Sequence, residues 1–531
     1  MADWLADAVL YEIYPQSFAD SNGDGIGHLR GVIDHLDHLS WLGVDTIWFN
    51  PLFASPFVDA GYDVSDYLRV APRYGTNDDL VELVAVARAR GIRVLLDLVA
   101  GHTSVEHAWF QAELAADGPD PLGDRYVWAD DVPYRDTSHD TAGTPSFVRS
   151  PGPRGGYYLK NFFDAQPALN FGYARLDPAE PWRQPVDAPG PRRNRQALKD
   201  VMAFWLDRGV AGFRVDMAFS LVKDDPGKVE TTALWRELRE WLDATYPDAV
   251  IVPEGREPRT GGRLAFHADF FLVIYQEHAS LFDNGGAGEL FWGRFDHAFF
   301  DADGLGSTEP FLRSWNEVKS DDPDRLVLMS SADHDYSRLA CGSRTAEQLG
   351  AAFTFLLTWG TVPLIYFGDE IGMRYLEGLP DVEGSICNPT YNRAGCRTPM
   401  QWDGTANAGF STADPDRLYL PIDPDPARPT VAAQREDPGS LLHLVRELVA
   451  LRRSTPALSA RASTRVLHDG YPLAYVRGES HLVVVNPRRE PAVLDVPEAR
   501  GAALVHGRGV RVAPDAVHLD GFGHAILTLA R

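Results

Sequence analysis

The chain has 531 residues, 44% hydrophobic and 24% charged, which suits a soluble globular protein too long for one small domain. Its 75 acidic and 50 basic residues give a net charge of −25, a field that repels polyphosphates and argues against nucleic acid as a partner. Three cysteines, Cys341, Cys387 and Cys396, are too few for a disulfide framework and match no zinc spacing. The N-terminus lacks the basic start and apolar core of a signal peptide, and no long apolar run marks a membrane span, so a cytoplasmic location is expected.

In chain order, Ala8 to Tyr14 reads as a strand, and Ile33, Leu36 and Leu39 give a helix face that Gly43 ends. Val44 to Phe49 is a second strand. Thr76 or Asn77 then caps a helix striped by Leu80, Leu83, Val84 and Ala87, with Asp78 and Asp79 at its positive end. Ile92 to Val99 is a third strand. The alternation resumes with helix stripes at Leu198–Trp205 and Leu234–Leu242, each followed by a strand, at Gly212 and Ala249. Further strands are expected at Asp269–Tyr275, Leu326–Met329 and Val362–Phe367. Near-continuous apolar strands alternating with helices argue for a parallel sheet covered on both faces. About eight such units close a barrel whose site lies at the strands' C-terminal ends.

Two regions break the rhythm. Thr103 to Pro191 is rich in Gly, Pro, Asp and aromatics, and so long an excursion reads as a separate subdomain. After the helix at Leu441–Leu451, short strands at Leu473–Arg477, His481–Asn486, Ala492–Val496 and Ala525–Leu529 predict a C-terminal antiparallel β domain. The division expected is thus a barrel of residues 1–102 and 192–450, an inserted subdomain 103–191 and a β domain 451–531.

Chemistry centres on Gly212-Phe-Arg-Val-Asp216 and on Glu254, which ends the strand Ala249–Pro253. Side chains alternate along a strand, so Arg214 and Asp216 face one side and Phe213 and Val215 the other. A guanidinium beside a carboxylate favours its ionised form, so Asp216 is expected to stay charged. A partly desolvated glutamate holds a proton near neutral pH, which suits Glu254 as an acid. One charged and one protonated carboxyl is the pair that glycoside hydrolysis needs. Acidic residues at strand ends also commonly make only caps or surface ion pairs, so the rest of the chain has to decide.

Several ordered motifs decide it. Gly61-Tyr-Asp-Val-Ser-Asp-Tyr67, Asp97-Leu-Val-Ala-Gly-His102, Gly212–Asp216, Glu254 and Ala332-Asp-His-Asp335 with Arg338 together resemble the α-amylase family of glycoside hydrolases. Ile365–Glu370 and Cys396–Trp402 are similar to segments of its α-glucosidase and oligo-1,6-glucosidase branch. The resemblance implies an α/β fold, a (β/α)8 TIM barrel with a subdomain after the third strand and a C-terminal β domain. It also implies a retaining mechanism with the two carboxyl groups about 5 Å apart. Asp216 would be the nucleophile, Glu254 the acid and base (with Glu257 as a nearby rival), and Asp335 the carboxylate that grips ring hydroxyls. His102 and His334 would hydrogen-bond the same sugar, Tyr62 would stack on it, Asp97 would brace Arg214, and Asp63 with Arg338 would close the pocket floor as an ion pair.

The family's departures bear on metal and specificity. Gly101 stands where many amylases carry a calcium-binding Asn. The loop Asp20–His28 resembles the branch's metal loop, with oxygens from Asp20, Asn22, Asp24 and the Ile26 carbonyl as a possible structural calcium site, but His28 replaces its usual acid. No other cofactor is implied. Met217, Ala168 and Asp333 differ from the common residues around the pocket. The substrate expected is a terminal α-glucosyl unit of a short oligosaccharide or glucoside, cleaved by water. The alternatives are transfer to a sugar, as in a trehalose-synthase-like or sucrose-active enzyme, and, from a different class, a non-catalytic amylase-like scaffold.

Overall fold

Eight strands of one parallel sheet form the centre: β1 Leu10–Ile13, β2 Thr46–Phe49, β3 Arg93–Val99, β4 Gly212–Asp216, β5 Val250–Pro253, β6 Ala268–Phe271, β7 Leu326–Ser330 and β8 Val362–Tyr366. This computed structural model describes residues 2–131, 147–257, 265–283, 296–342, 344–387 and 392–530. Ladder pairing runs β5-β4-β3-β2-β1-β8-β7-β6. The two ends meet where His267 N donates to Ile251 O and Phe270 N to Gly255 O, both at 3.0 Å, which closes the TIM barrel.

Alternation along the strands sorts the core. Leu10, Trp48, Leu95, Val252, Phe270, Leu328 and Leu364 pack together in one buried cluster, whereas Tyr11, Ile47, Leu96, Phe213, Val215, Ile251 and Ile365 belong to the larger cluster under the helices. Glu12, Asp97, Arg214 and Asp216 share the parity of the first set, so they project into the barrel. The helix Leu29–Leu42 ends at Gly43, whose φ of 92° takes the left-handed conformation that glycine tolerates best. Of the two cap candidates before Asn77–Ala89, the cap is Thr76, in a capping box with Asp79.

Expected strand positions hold, with shorter limits. The stretch expected as a strand over Asp269–Tyr275 stops at Phe271, because the helix Gln276–Phe282 begins five residues later. A two-stranded hairpin, Phe53–Ala54 with Asp66–Val70, interrupts the β2 connection and carries the Gly61-Tyr62-Asp63 motif. After β3 come the helix Ala108–Leu114 and a three-stranded sheet of Trp128–Ala129, Tyr157–Leu159 and Phe147–Arg149. Residues 132–146 of this excursion lie outside the described residues.

The C-terminal sheet is antiparallel, as expected, and has six strands. Its face of Leu473, Tyr475, Val483, Val485 and Ile526 joins the barrel's outer core, and the alternate Ala474, Val476, Leu482 and Val484 form a core of their own. Two of its strands, Thr464–His468 and Ala503–Val512, carry mostly half-buried or exposed residues and give little apolar alternation to read.

Candidate active site

Register places the carboxylates. Val250 and Val252 of β5 stand opposite Gly212 and Arg214 of β4. The same spacing two residues on sets Glu254 beside Asp216, and Glu254 N donates to Val215 O at 2.8 Å. Adjacent strands lie about 4.8 Å apart. On the other side, Asp97 of β3 is in register with Arg214.

Arg214 ties the group together. Its Nη1 lies 3.0 Å from both Asp97 oxygens and 3.2 Å from Asp216 Oδ1, and its Nη2 lies 3.1 Å from Glu254 Oε2. Asp97 thus braces Arg214, as expected. The Asp216, Glu254 and Asp335 side chains keep 9%, 21% and 25% of their surface, against 0% and 4% for Asp97 and Arg214, so the first three are reachable by a substrate and the last two lie behind them. Glu254 Oε2 also accepts the Met217 N–H at 2.7 Å. Met217 holds a left-handed φ of 41°, unusual for a residue with a side chain, and this turn aims its N–H at the acid.

The charge balance corrects one expectation. Burial and the facing charge of Glu254 push the Asp216 carboxyl well above the usual carboxylate range, and the pull of Arg214 does not outweigh them. Burial also raises Asp97 to about 6 against the pull of Arg214. Three carboxyls share one guanidinium, so its charge is divided among them.

Asp335, beyond β7, has the opposite surroundings. Its Oδ1 lies 3.1 Å from Arg393 Nη1 and 3.0 Å from Arg397 Nη2, and its Oδ2 lies 3.3 Å from His334 Nε2. Burial works to raise this carboxyl, but the contact with His334 and the charges of Arg393 and Arg397 bring it well below the usual range, the guanidiniums being the fixed charges. Burial pushes the His334 imidazole down to about 3, so His334 serves Asp335 as a neutral ring and not as a cation.

The expected Asp63–Arg338 pair does not form. Arg338 Nη1 donates to Phe367 O at 2.7 Å and lies 3.3 Å from Asp369 Oδ1. Asp63 accepts from Ser55 Oγ and from the backbone N–H groups of Val58 and Asp59 at 2.9–3.0 Å, which folds the loop that presents Asp59. The ion pair at this end is Asp59–Arg393, at 2.7 Å, continuing to Asp335 and Arg397. Asp59, Arg393 and Arg397 therefore belong to the site. The signal was their nearness to recognised motifs: Asp59 lies two residues before Gly61, and Arg393 four before Arg397.

Tyr62 has its hydroxyl 3.0 Å from Asp97 Oδ2, and its ring stacks on His334 at 5.5 Å. His102 has Tyr62 O 3.1 Å from Nε2 and Asn161 Nδ2 3.0 Å from Nδ1, so a bond to a sugar needs one of these partners to yield. Glu257 is removed as a rival acid. It pairs with buried Arg325 at 2.8 Å and accepts the backbone N–H of Ala265 and Phe266.

In the Asp20–His28 loop, Asp20 accepts from Asn22 N, Gly23 N, Gly25 N and Ser411 Oγ, and Asp24 accepts from Ile26 N and Asn22 Nδ2. The four expected oxygens fall short of the six to eight calcium takes, and His28 offers a nitrogen 4.0 Å from Asp20 in place of an acid. At Gly101, an added Cβ would meet Ser220 Oγ at 2.8 Å and Asn161 Nδ2 at 3.0 Å, so a larger side chain would need both polar groups to shift. No step below passes through a metal.

The catalytic-domain model of the alpha-amylase family matches residues 12–261 and 293–461. The chain belongs to the α-amylase family. Trehalose synthase/amylase TreS of Mycobacterium tuberculosis is 34% identical over 93% of this chain and 83% of its own length. Glucan 1,6-alpha-glucosidase of Streptococcus pneumoniae is 31% identical over 93% of each chain. The solved structure of XgtA, an alpha-glucosyl transfer enzyme, matches with a TM-score of 0.80 at 27% identity, covering 99% of both chains. Like other members of the α-amylase family, the protein is an enzyme that acts on α-glucosidic bonds, as a hydrolase or a transglucosidase. Among the described residues, no helix is long and apolar enough to cross a membrane.

Proposed function

We propose that the protein is a retaining α-glucosidase that removes terminal α-glucosyl units from short oligosaccharides or glucosides. The observation that carries this reading is the register that sets Glu254 beside Asp216 on adjacent strands, since retention needs two carboxyls about 5 Å apart. Asp216 attacks the anomeric carbon while Glu254 protonates the leaving oxygen. The bond from sugar to leaving group breaks as the glycosyl-aspartate forms. Glu254, now ionised, takes a proton from water, which attacks the same carbon and frees Asp216 with the α configuration kept. Glu254 Oε2 is held by Arg214 and Met217, which leaves Oε1 for proton transfer. Asp335, kept ionised by two arginines, accepts hydroxyl hydrogen bonds from the ring and favours the positive charge that develops there. The chain of ion pairs from Asp59 to Arg397 supports a closed glycone end and therefore exo action. A cytoplasmic location and a reaction that requires no cofactor belong to the same proposal, with the Asp20–Ile26 loop as a candidate structural calcium site weakened by His28.

The relatives favour a second reading. They include trehalose synthases and an α-glucosyl transfer enzyme, and transfer to a sugar uses the same intermediate with a hydroxyl in place of water. Incubation with maltose, isomaltose, nigerose, kojibiose, trehalose and sucrose, followed by product analysis, separates the two. Glucose released first as the α anomer supports hydrolysis, and new disaccharides with little free glucose support transfer. β-Glucose as the first product would overturn the retaining mechanism.

A further inference from the structure

Glu12 is a charged residue in the middle of an apolar strand, and the chemistry above does not use it. It is fully buried inside the barrel. Its Oε1 lies 2.7 Å from His334 Nδ1 and 3.2 Å from Asn50 Nδ2, and Oε2 has no partner. Arg214, Asp333 and Asp335 are the charged groups that act on it, and Tyr366 lies within reach of its charge.

Counting protons around His334 fixes what Glu12 must do. On the Nε2 side stand Tyr62 Oη at 2.7 Å and Asp335 Oδ2 at 3.3 Å. Asp335 is an acceptor, held ionised by Arg393 and Arg397. The single hydroxyl proton of Tyr62 can go to Asp97 Oδ2 at 3.0 Å or to His334 Nε2 at 2.7 Å, so Tyr62 suits either tautomer and does not set it. Asp335 can only accept on the Nε2 side and Asn50 Nδ2 can only donate on the Nδ1 side, and both are satisfied when Nε2 carries the proton. In a neutral ring Nδ1 is then the acceptor. Asn50 Nδ2, 2.9 Å away, donates to it. An ionised carboxylate at 2.7 Å would set two lone pairs against each other, so Glu12 has to donate as well. Burial and the facing Asp333 raise the Glu12 carboxyl well above the ordinary range, in keeping with this arrangement.

We infer that Glu12 is a positioning residue which, as a neutral carboxylic acid, donates to His334 Nδ1 and so fixes the tautomer whose Nε2–H faces Asp335 and the sugar. It touches neither sugar nor reacting atoms and acts through His334. The kinetic part rests on the reading of the pocket as an α-glucosyl site, but the tautomer is a property of the ligand-free protein.

The test therefore begins without substrate. Protein labelled with 15N-histidine is compared with His334→Ala to assign the His334 signals. The wild type is expected to carry its proton on Nε2 alone. Glu12→Gln, whose amide also donates, is expected to keep that tautomer and most of the activity. Glu12→Leu is expected to mix the tautomers and to lower kcat/KM on an α-glucoside by at least about 10-fold, in the direction a wrong histidine tautomer takes at other sites. Glu12→Leu combined with His334→Ala is expected to be no slower than His334→Ala alone, because both act through one ring. A wild-type proton on Nδ1, an imidazolium with both nitrogens protonated, or Glu12→Gln failing as badly as Glu12→Leu while still folded would each overturn the inference. No turnover of any α-glucoside beside the expected tautomer would instead reject the proposed function.

Discussion

Two acidic clusters meet at Tyr62, whose hydroxyl lies 3.0 Å from Asp97 of one and 2.7 Å from His334 of the other, and they are balanced in opposite ways. Around Arg214, one cation serves Asp97, Asp216 and Glu254. Around Asp335, two arginines and a neutral histidine serve one half-buried carboxylate and Asp59. Burial pushes carboxyls up in both. With one cation to share, Asp216 lies well above the usual carboxylate range, while Asp335, with two arginines, is brought well below it. The ratio of cations to carboxylates, more than the depth of burial, separates groups that exchange protons from groups that hold a fixed charge.

Four changes would break or sharpen that contrast. Asp216→Asn removes the attacking oxygen from the first cluster, and kcat/KM is expected to fall by at least about 10^4-fold with the thermal melt kept, as for other covalent nucleophiles. A melt that holds beside activity within about tenfold of wild type would exclude Asp216 as the nucleophile. Glu254→Gln removes the proton donor, with an expected loss of about 10^2- to 10^4-fold on sugars with poor leaving groups and a much smaller one on activated aryl glycosides. Equal losses on both would assign the acid elsewhere.

Arg393→Gln tests the second cluster. With one guanidinium gone, Asp335 loses part of what lowers its carboxyl, so the acid limb of kcat/KM is expected to move to higher pH. The value at the optimum should drop by about 10^2-fold, the scale for breaking a buried charge pair. An unmoved acid limb would mean that Arg397 and His334 suffice. The smallest effect is expected at Glu113, outside both clusters, where burial raises the carboxyl from 4.5 to about 7 despite bonds from Arg125 N and Trp128 Nε1. A folded-state value above the unfolded one stabilises the fold at low pH and loses that contribution as pH rises between those two values. The melting temperature of the wild type should therefore fall relative to Glu113→Gln across that window, and parallel curves would show that the site is not ionising there.

The barrel was legible because period-2 strands and 3.6-period helices leave different marks, and because Asp216 and Glu254 end strands whose register then had no freedom. Asp335 was legible from its motif. The loop carboxylates were not. Asp59 and Asp63 lie four residues apart in a segment where Phe57, Ala60 and Gly61 all take positive φ, and no side-chain period survives such a turn to say which acid faces the pocket. Arg393 and Arg397 reach Asp335 from about sixty residues downstream on a 3-10 turn, a placement set by tertiary packing. Glu12 carried a signal, a lone charge among apolar neighbours, but not the identity of its partner.

The bare backbone at Gly101 couples its neighbours. Asn161 and Ser220 already fill the space a Cβ would take, and Asn161 is bonded in turn to His102 and Lys223. Gly101→Asn would press against two members of this network at once, so Ser220 and Asn161 would both have to shift to admit it. Because Asn161 also holds His102 and Lys223, a change at one glycine would be felt at a histidine of the pocket and at a buried lysine of another segment.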